Sequence, residues 1–155
     1  GIDFAVNKVS ALSRFRAHFG PARKTSKGGT SSGVGFLWNK AFDFKIIGKI
    51  NDLFESRYLA GILKTTTGSL TVVCCYGDGK STQSSRESLW DVTQWCMAQG
   101  RPFVIIGDQN MEAESFAEHL LPMTSRAAVL SFGETCFTKS GSSSIDFAVV
   151  STNLL

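Results

Sequence analysis

Apolar residues in the first part of the chain recur at helical spacing. Their separations of three and four residues predict an amphipathic helix whose apolar face is Ala5, Val9, Leu12, Phe15 and Phe19. Gly20 and Pro21 are expected to end that helix. The glycine- and serine-rich segment 21–33 then predicts a loop rather than a domain boundary, since too little chain precedes it.

The next part of the chain has a different pattern, in which short apolar runs are separated by Gly, Asn, Asp or Thr. These runs predict strands at residues 33–38, 42–50, 57–64 and 69–76. The breaks between them have hairpin length, whereas parallel strands need crossovers of about a dozen residues or more. We therefore expect an antiparallel series.

The second half of the chain mixes helices and strands. Ser84 and Glu87 have the spacing of a capping box, and the helix they begin is expected to end at Gly100. The apolar run 102–107 predicts a short strand that is buried on both faces. The remaining predicted elements are a helix over 113–121 and strands over 127–132, 134–139 and 144–151.

Length and composition restrict the class of protein. With 155 residues, 43% of them apolar, the chain has material for a single domain, 1–155, with a packed core. No stretch approaches the roughly twenty apolar residues of a membrane span. The cysteines form no C-x-x-C pair, so a zinc site is not expected. We expect them to be buried free thiols, which favour a reducing, intracellular compartment. The start without methionine and the apolar end predict a piece of a longer protein.

Charge is distributed unevenly along the chain. The net charge is +3, but residues 1–50 carry nine Lys and Arg against two Asp. One cluster without an intervening acid consists of Arg14, Arg16, Arg23, Lys24 and Lys27. This basic cluster predicts either a solvated surface or a patch that contacts phosphate groups, and charge alone does not choose between them.

The stretch FVIIGDQN, residues 103–110, places candidate chemistry at the end of a strand. Asp108 and Asn110 would point to the same side of an extended segment, and Gly107 leaves space for a close backbone approach. A carboxylate can hold a metal ion or take a proton from water, and an amide can bind a phosphate oxygen. The structural alternative is that Asn110 caps the following helix and Asp108 lies in the turn.

Two further stretches have polar residues in comparable positions, Tyr76 at the end of a strand and Asp146 inside SSSIDFAVV. Each alone has a structural explanation, as a strand-end aromatic or as an acceptor of backbone N–H groups. Taken in order, the pieces resemble the endonuclease/exonuclease/phosphatase family of DNase I-like proteins, closest in style to the endonuclease domains of non-LTR retroelements. The resemblance covers about residues 28–151 and rests on Gly33 to Leu37, Arg57, Tyr76, Gly107 to Asn110, and Ser143 to Asp146.

This resemblance implies an α+β sandwich of two mainly antiparallel sheets packed face to face, with helices outside and both ends incomplete. It also implies hydrolysis of phosphate esters with Mg²⁺ or Mn²⁺. By position, Asp108 would orient or deprotonate the attacking water, Asn110 would hold the scissile phosphate, and Tyr76 would bond a phosphate oxygen. Asp146 would orient a catalytic histidine. The residues expected to contact phosphate or nucleic acid are Arg57, Arg23, Lys24 and Lys27.

The sequence also departs from the family pattern. The family's metal-binding Asn and Glu have no match here, so Asp108 is the one metal-ligand candidate and metal binding by this chain alone is expected to be poor. Neither His18 nor His119 stands where the catalytic histidine should, and each is expected on the surface. Within the matched region, Cys74, Asp78 and Gln109 stand where the family more often has other residues.

Several functions therefore stay open. The first is a metal-dependent nuclease, inactive as this piece, that acts on nucleic acid and self-associates through exposed sheet edges. The second is a non-catalytic relative that binds an anionic partner, or a phosphatase of the same family that acts on a phosphorylated small molecule or lipid. In the third, GDQN is a coincidental strand-to-helix turn of an unrelated domain.

Overall fold

The fold is known from a computed structural model that describes residues 14–24, 30–31, 33–48, 57–79, 81–138 and 141–155. Its strands are β1 Phe15–Phe19, β2 Arg23–Lys24, β3 Thr30–Ser31, β4 Gly35–Asn39, β5 Phe44–Gly48, β6 Tyr58–Thr65, β7 Gly68–Tyr76, β8 Phe103–Asp108, β9 Ala127–Ser131, β10 Cys136–Thr138, β11 Gly141–Ser143 and β12 Asp146–Ser151. Its helices are α1 Thr82–Ala98 and α2 Ala113–Leu120, and a 3-10 turn, Thr152–Leu154, follows β12.

The largest sheet among the described residues has six strands in the order β5-β6-β7-β8-β12-β9. Strands β5, β6 and β7 pair antiparallel in chain order, as hairpin-length connections predict. Strands β7 and β8 pair parallel, and α1 lies in the crossover that a parallel pair needs. Strand β12 pairs antiparallel with both β8 and β9. The prediction of a mainly antiparallel α+β fold is therefore confirmed.

Both helices pack against one face of this sheet and form the hydrophobic core with it. The helices contribute Leu89, Val92, Cys96, Phe116 and Leu120 to that core, and the sheet contributes Tyr58, Val73, Ile105, Phe147 and Val149. The rings of Phe116 and Phe147 stack with centroids 6.2 Å apart. Burial of each large apolar side chain stabilises the fold by about 1.5–3 kcal/mol. No helix among the described residues is long and apolar enough to cross a bilayer.

A second layer, formed by the antiparallel pair β1 and β4, lies against the opposite face of the large sheet. Phe36 and Trp38 of β4 meet the ring of Phe44 edge-on, with centroid distances of 4.9 and 5.1 Å. Leu63 and Val72, from β6 and β7, line the same apolar contact. The described residues thus form two packed sheet layers with helices outside, which confirms the predicted sandwich.

The predicted N-terminal helix is wrong over its last residues. Phe15 to Phe19 form β1, and in that strand Arg16 and His18 are exposed while Phe15 and Phe19 are half-buried. Residues four apart share a face in a helix and also in a strand, so their spacing did not distinguish the two. The other positions of that pattern, Ala5, Val9 and Leu12, lie outside the described residues.

Three smaller predictions are also wrong. Ser81, not Ser84, is the N-cap of α1, and its side chain accepts the N–H of Ser84 at 3.3 Å. Strand β4 pairs with β1 rather than β5, because the chain changes layers between them. Strand β8 is not buried on both faces, since Ile106 is 41% exposed. The contacts described above between the β1/β4 layer and the large sheet involve β5 to β7.

Candidate active site

Tyr76, Asp108 and Asp146 lie side by side at one end of the six-stranded sheet. Tyr76 ends β7 and is the register partner of Asp108, which ends β8. Asp146 begins β12 and is the antiparallel partner of Asp108. Register partners on adjacent strands share a face of the sheet, so these three residues form a polar row across three strands. The sequence predicted all three as site residues, and the fold brings them together.

Gly107 permits β7 and β8 to approach each other just before the polar row. Its φ of +152° is a backbone conformation that side chains disfavour. A Cβ at this position would also lie 2.0 Å from the carbonyl oxygen of Cys75. The predicted close backbone approach at Gly107 is confirmed, and no other residue type fits there without moving β7.

The turn after β8 is held by hydrogen bonds on both sides. The Asp108 carboxylate accepts the N–H of Asn110 at 2.9 Å, and the Asn110 side-chain amide donates to the Gly77 carbonyl at 3.1 Å. Asn110 has a left-handed φ of +51°, so the expectation of an extended segment is wrong at this residue. The capping alternative is also wrong, because α2 begins after Glu112 and Asn110 bonds the β7 turn instead. Asp108 is the last residue of β8, and its carboxylate bonds the turn that follows.

Gln109, between the two candidate residues, points into the interior. It is fully buried, and its amide donates to the Cys75 thiol sulfur at 2.6 Å. Its Oε1 atom has no hydrogen-bond partner among the described residues. Its backbone carbonyl lies against Gly77, where a Cβ would come within 1.8 Å of the oxygen. A glycine is therefore needed at position 77 for the two turns to pack together. The sequence indicated its importance through its position directly after Tyr76, at the end of a strand.

Arg57 uses its guanidinium group within the protein. Nη1 donates to the carbonyl oxygens of Tyr76 and Gly77, and Nη2 lies 3.3 Å from the Asp78 carboxylate. The guanidinium carbon is also 5.7 Å from the centroid of the Tyr76 ring. These contacts pin the turn that follows β7. The sequence predicted Arg57 as a phosphate contact, and that role stays a prediction beside the structural one.

Two carboxylates sit next to each other in the polar row. Burial raises the pKa of Asp108 above its ordinary value, the Asn110 N–H acts to lower it, and the nearby charge of Asp146 raises it further. A carboxylate with a raised pKa is a stronger proton acceptor than an ordinary one. The arrangement can therefore accept a proton from water at Asp108, with a phenol on one side and a second carboxylate on the other.

Comparison with known proteins finds relatives by structure only. No protein-family model matches the sequence, and no curated protein matches it. The structure of D. rerio TDP2 complexed with single-strand DNA product matches with a TM-score of 0.67 and 9% identity, covering 96% of this chain and 66% of that chain. The endonuclease domain of TRAS1, a telomere-specific non-LTR retrotransposon, has a TM-score of 0.62 and 11% identity, covering 98% and 79%. An endonuclease/exonuclease/phosphatase family protein of Bacteroides thetaiotaomicron has a TM-score of 0.60 and 18% identity, covering 94% and 64%.

This chain has the endonuclease/exonuclease/phosphatase, or DNase I-like, fold. It spans less than two thirds of the TDP2 and Bacteroides chains. At such low identity the match establishes the arrangement of strands and helices, and residue roles have to be argued from this chain's own geometry.

The family resemblance in the sequence implied a divalent metal ion, and Asp108 and Asp146 are the two carboxylates of the polar row. The described residues contain no group of three or more His, Cys, Asp and Glu that could hold a metal ion. Asp108 and Asp146 nevertheless form a carboxylate pair, and Mg²⁺ is often held by one or two carboxylates together with water. The influence of Asp146 on the pKa of Asp108 is a repulsion that a cation would relieve. The pair therefore has the donor chemistry that such a cation prefers and supplies two of the ligands that it would need.

The start of β12 is positioned by residues that the sequence did not single out. The Glu112 carboxylate accepts the N–H of Ser144 at 3.1 Å, and Thr135 Oγ1 accepts the N–H of Asp146 at 3.1 Å. Gln109 donates its backbone N–H to the Ile145 carbonyl at 2.8 Å. These contacts tie the strand of Asp146 to the turn of Asp108. They link residues far apart in the chain, so local sequence patterns carried no signal for them.

The predicted basic cluster is only partly described. Arg14 and Arg16 are exposed, and Arg23 and Lys24 form the short strand β2 paired with Thr30–Ser31. Lys27 lies outside the described residues. Arg14 and Arg16 belong to a turn and to β1 rather than to a helix end. Arg16 thus belongs to the second layer and Arg14 directly precedes it, whereas Arg23 and Lys24 belong to the short β2/β3 pair.

The two histidines lie away from the polar row. His18 is exposed on β1, as expected for a surface residue, although that element is a strand. His119 is half-buried on α2, with its ring centroid 6.4 Å from that of Trp90 and 6.1 Å from that of Phe116. The surface prediction is therefore wrong for His119, which packs on the helix-covered face, whereas the polar row faces the other side.

The cysteines match the prediction of free thiols. Cys75 and Cys96 are buried, Cys74 and Cys136 are half-buried, and all are free. Burial raises the pKa of the Cys96 thiol to about 12 and raises the pKa of Cys75 as well. These buried thiols are packing residues and carry no candidate chemistry.

Proposed function

We propose that this chain is the central part of a Mg²⁺-dependent phosphodiester hydrolase that acts on nucleic acid. One observation carries the proposal: Tyr76, Asp108 and Asp146 are aligned on adjacent strands, with the amide of Asn110 anchored next to Asp108. A phenol, an amide and a carboxylate with a raised pKa are suited to binding a phosphate group and activating water. The fold shared with nucleases supports this assignment.

Each residue of the site has a defined part in the proposed reaction. Asp108 takes a proton from a water molecule as the water oxygen forms a bond to phosphorus and the P–O bond to the leaving group breaks. Asn110 uses the amide hydrogen that does not bond Gly77 to hold the scissile phosphate. Tyr76 donates its phenol hydrogen to a second phosphate oxygen. Because both side chains are neutral, they bind the phosphate without adding negative charge.

Asp108 and Asp146 are the described residues that would hold the metal ion. When bound, the ion supplies positive charge against the phosphate oxygens. Asp146 has the additional proposed role of orienting a catalytic histidine. Since His18 and His119 lie elsewhere, we propose that this histidine belongs to another part of a longer parent protein. The chain alone is then inactive or nearly so.

Nucleic acid is the proposed substrate class. The excess of Lys and Arg in residues 1–50 supplies the charge that a phosphate backbone attracts, and Arg23, Lys24 and Lys27 are its proposed contacts. The DNA product in the TDP2 structure and the retrotransposon origin of TRAS1 support the same class. Binding of this kind is independent of base sequence and weakens as salt increases. The free thiols are consistent with an intracellular site of action.

A second candidate is a non-catalytic member that binds an anionic partner. It is favoured by one observation, that the described residues offer two carboxylates but no group of three metal-ligating side chains. Such a protein would bind nucleic acid through its basic residues without cutting it. The two candidates differ in whether the protein cuts the nucleic acid that it binds.

The test is a nicking assay on supercoiled plasmid, run with Mg²⁺ and with EDTA. It compares the 155-residue chain with a longer protein extended at both ends through the parent gene. We expect nicking by the longer protein in Mg²⁺ only. Binding without nicking by both proteins would support the non-catalytic candidate. Release of phosphate from a phosphorylated sugar or lipid without nicking would replace the nuclease with a phosphatase.

A further inference from the structure

A polar pocket lies at the opposite end of the six-stranded sheet from the polar row. It has a volume of about 260 Å³ and opens between the end of α1, the start of β8 and the end of β12. Strand β8 begins at Phe103, which lines this pocket, and ends at Asp108, roughly 17 Å away along an extended strand. The pocket is therefore separate from the candidate active site.

Two arginines give this pocket a positive charge. Arg101 and Arg126 both line it, and none of the described residues in its wall is acidic. Arg101 donates to Thr71 Oγ1 at 3.3 Å and to Gln99 Oε1 at 3.4 Å, and Arg126 donates to the Met97 carbonyl at 3.3 Å. A guanidinium has five N–H groups, so each arginine keeps donors that these bonds do not use. Arg101 is thus held by two side-chain partners, whereas Arg126 is exposed and makes one bond.

A buried hydroxyl supplies a third donor. Ser151 is only 6% exposed and lines the pocket. Its Oγ accepts the backbone N–H of Phe103 at 3.0 Å, and no described residue accepts a hydrogen bond from its own O–H. A buried hydroxyl proton without an acceptor costs free energy unless a ligand or water takes it. Ser151 is thus placed to donate to a molecule inside the pocket.

The end of α1 does not cancel the positive charge. Helix carbonyls at a C-terminus repel anions, but the Met97 carbonyl here accepts both Arg126 and the N–H of Gly100. The Cys96 carbonyl accepts the N–H of Gln99 at 3.1 Å. These two carbonyl oxygens are therefore already hydrogen-bonded within the protein.

We propose that this pocket binds a phosphate-class oxyanion, either inorganic phosphate or the phosphate group of a small ester. A guanidinium group can donate two parallel N–H hydrogen bonds to the oxygens of one phosphate. The hydroxyl of Ser151 would add a contact beyond those of the two arginines. The volume of about 260 Å³ lies just below the range of drug-sized ligand sites, so it suits a small ligand. The site is independent of the proposed hydrolase activity, because none of its residues belongs to the polar row.

Calorimetric titration of the 155-residue chain tests the proposal, with inorganic phosphate and glycerol phosphate as separate probes. We expect one site, with binding weakened at least about tenfold in Arg126→Gln through loss of charge-assisted hydrogen bonds. Lys45→Gln removes one exposed positive charge from β5 and serves as the matched control, with unchanged binding expected. Tighter binding of one probe identifies whether the pocket takes free phosphate or an ester.

Further variants keep the result interpretable. Arg126→Lys keeps the charge and loses the forked donors, so it should bind more weakly than the unmodified chain even if Arg126→Gln folds poorly. Ser151→Ala should also weaken binding, and thermal melting without phosphate checks the fold of each variant. The proposal is overturned by absent binding, by equal affinity in Arg126→Gln and Lys45→Gln, or by binding lost in Asn110→Ala instead. The last result would place the phosphate at the candidate active site.

Discussion

Asn110 and Arg57 donate hydrogen bonds to the same atom, the carbonyl oxygen of Gly77. One donor comes from the turn after β8 and the other from the residue before β6. The shared acceptor therefore locks the turn that carries Asn110 to the end of the strand that carries Tyr76. The candidate phosphate-binding side chains are positioned by side-chain-to-backbone hydrogen bonds between three distant segments.

Arg57 is expected to stabilise this junction. Arg57→Gln should lower the free energy of unfolding by about 1–3 kcal/mol, because it removes charge-assisted bonds to partly buried acceptors. Lys64→Gln is the control, since it breaks an ion pair whose side chains are 67% and 62% exposed. That variant should cost less than about 1 kcal/mol. Urea unfolding measures both, and a loss of nucleic-acid binding without a loss of stability would make Arg57 a phosphate contact instead.

Gly77→Ala should cost far more stability than Gly79→Ala. A Cβ on Gly77 would lie 1.8 Å from the backbone oxygen of Gln109, whereas a Cβ on Gly79 would come no nearer than 3.4 Å to Asn110. Gly77→Ala is expected to destabilise the protein by more than about 2 kcal/mol, because backbone must move. Gly79→Ala should change stability by less than about 1 kcal/mol. Equal melting temperatures for the two variants would contradict this geometry.

The raised pKa of Asp108, which burial causes first and the charge of Asp146 adds to, predicts a pH effect with a definite sign. Because the folded-state pKa of Asp108 is raised, its ionisation opposes folding. That cost is absent below the unfolded value of about 3.9 and develops as the pH rises through the folded-state pKa. Asp108→Asn should therefore gain stability relative to the unmodified chain as the pH rises.

Carboxyl NMR titration tests the smaller of the two causes that raise the pKa of Asp108, the charge of Asp146. Replacing the neighbouring charge with Asp146→Asn should lower the pKa of Asp108, since that charge raises it. Glu118→Gln, at an exposed position on α2, should leave the Asp108 titration unchanged. An Asp108 pKa that stays the same or increases in Asp146→Asn would show that the two carboxylates do not interact.

Self-association of this chain is expected through its open sheet edge. Strand β9 is an edge of the six-stranded sheet, and Leu130 and Phe132 near it are 37% and 56% exposed. Exposed apolar edge strands pair with other chains unless charges block them. Leu130→Lys should therefore reduce the concentration dependence of the mass measured by light scattering. A chain that is monomeric at every concentration without the substitution would rule out this interface.

The sequence predicted most of the strands, and the residues Tyr76 and Asp108 at two strand ends, because those signals are local. The predicted strand 69–76 ends at Tyr76, which is also the last residue of β7. The predicted strand 102–107 ends one residue before Asp108, the last residue of β8. Gly107 marked the place where β7 and β8 approach closely. The same local signals failed at Phe15 and Phe19, whose four-residue spacing suits a helix face and a strand face equally. They failed again at Ser84, where Ser81 supplies the cap one turn earlier.

Contacts between distant segments could not be predicted from single stretches. Nothing local to Arg57 indicates that it reaches the turn after Tyr76, and nothing local to Asn110 indicates the Gly77 carbonyl as its partner. The pocket with Arg101, Arg126 and Ser151 likewise joins three segments that meet only in the folded sheet. Long-range pairing of strands decides these contacts, and local residue patterns carry little of that information.

Plasmid nicking by an Asp108→Asn variant tests the central claim most directly. The variant is made in the protein extended through the parent gene, beside Glu118→Gln as a carboxylate-to-amide control on the exposed side of α2. Loss of the proton acceptor should slow nicking by about 100-fold or more, with thermal stability retained. Glu118→Gln should nick normally. An Asp108→Asn protein that nicks at the normal rate would show that the polar row is not the active site.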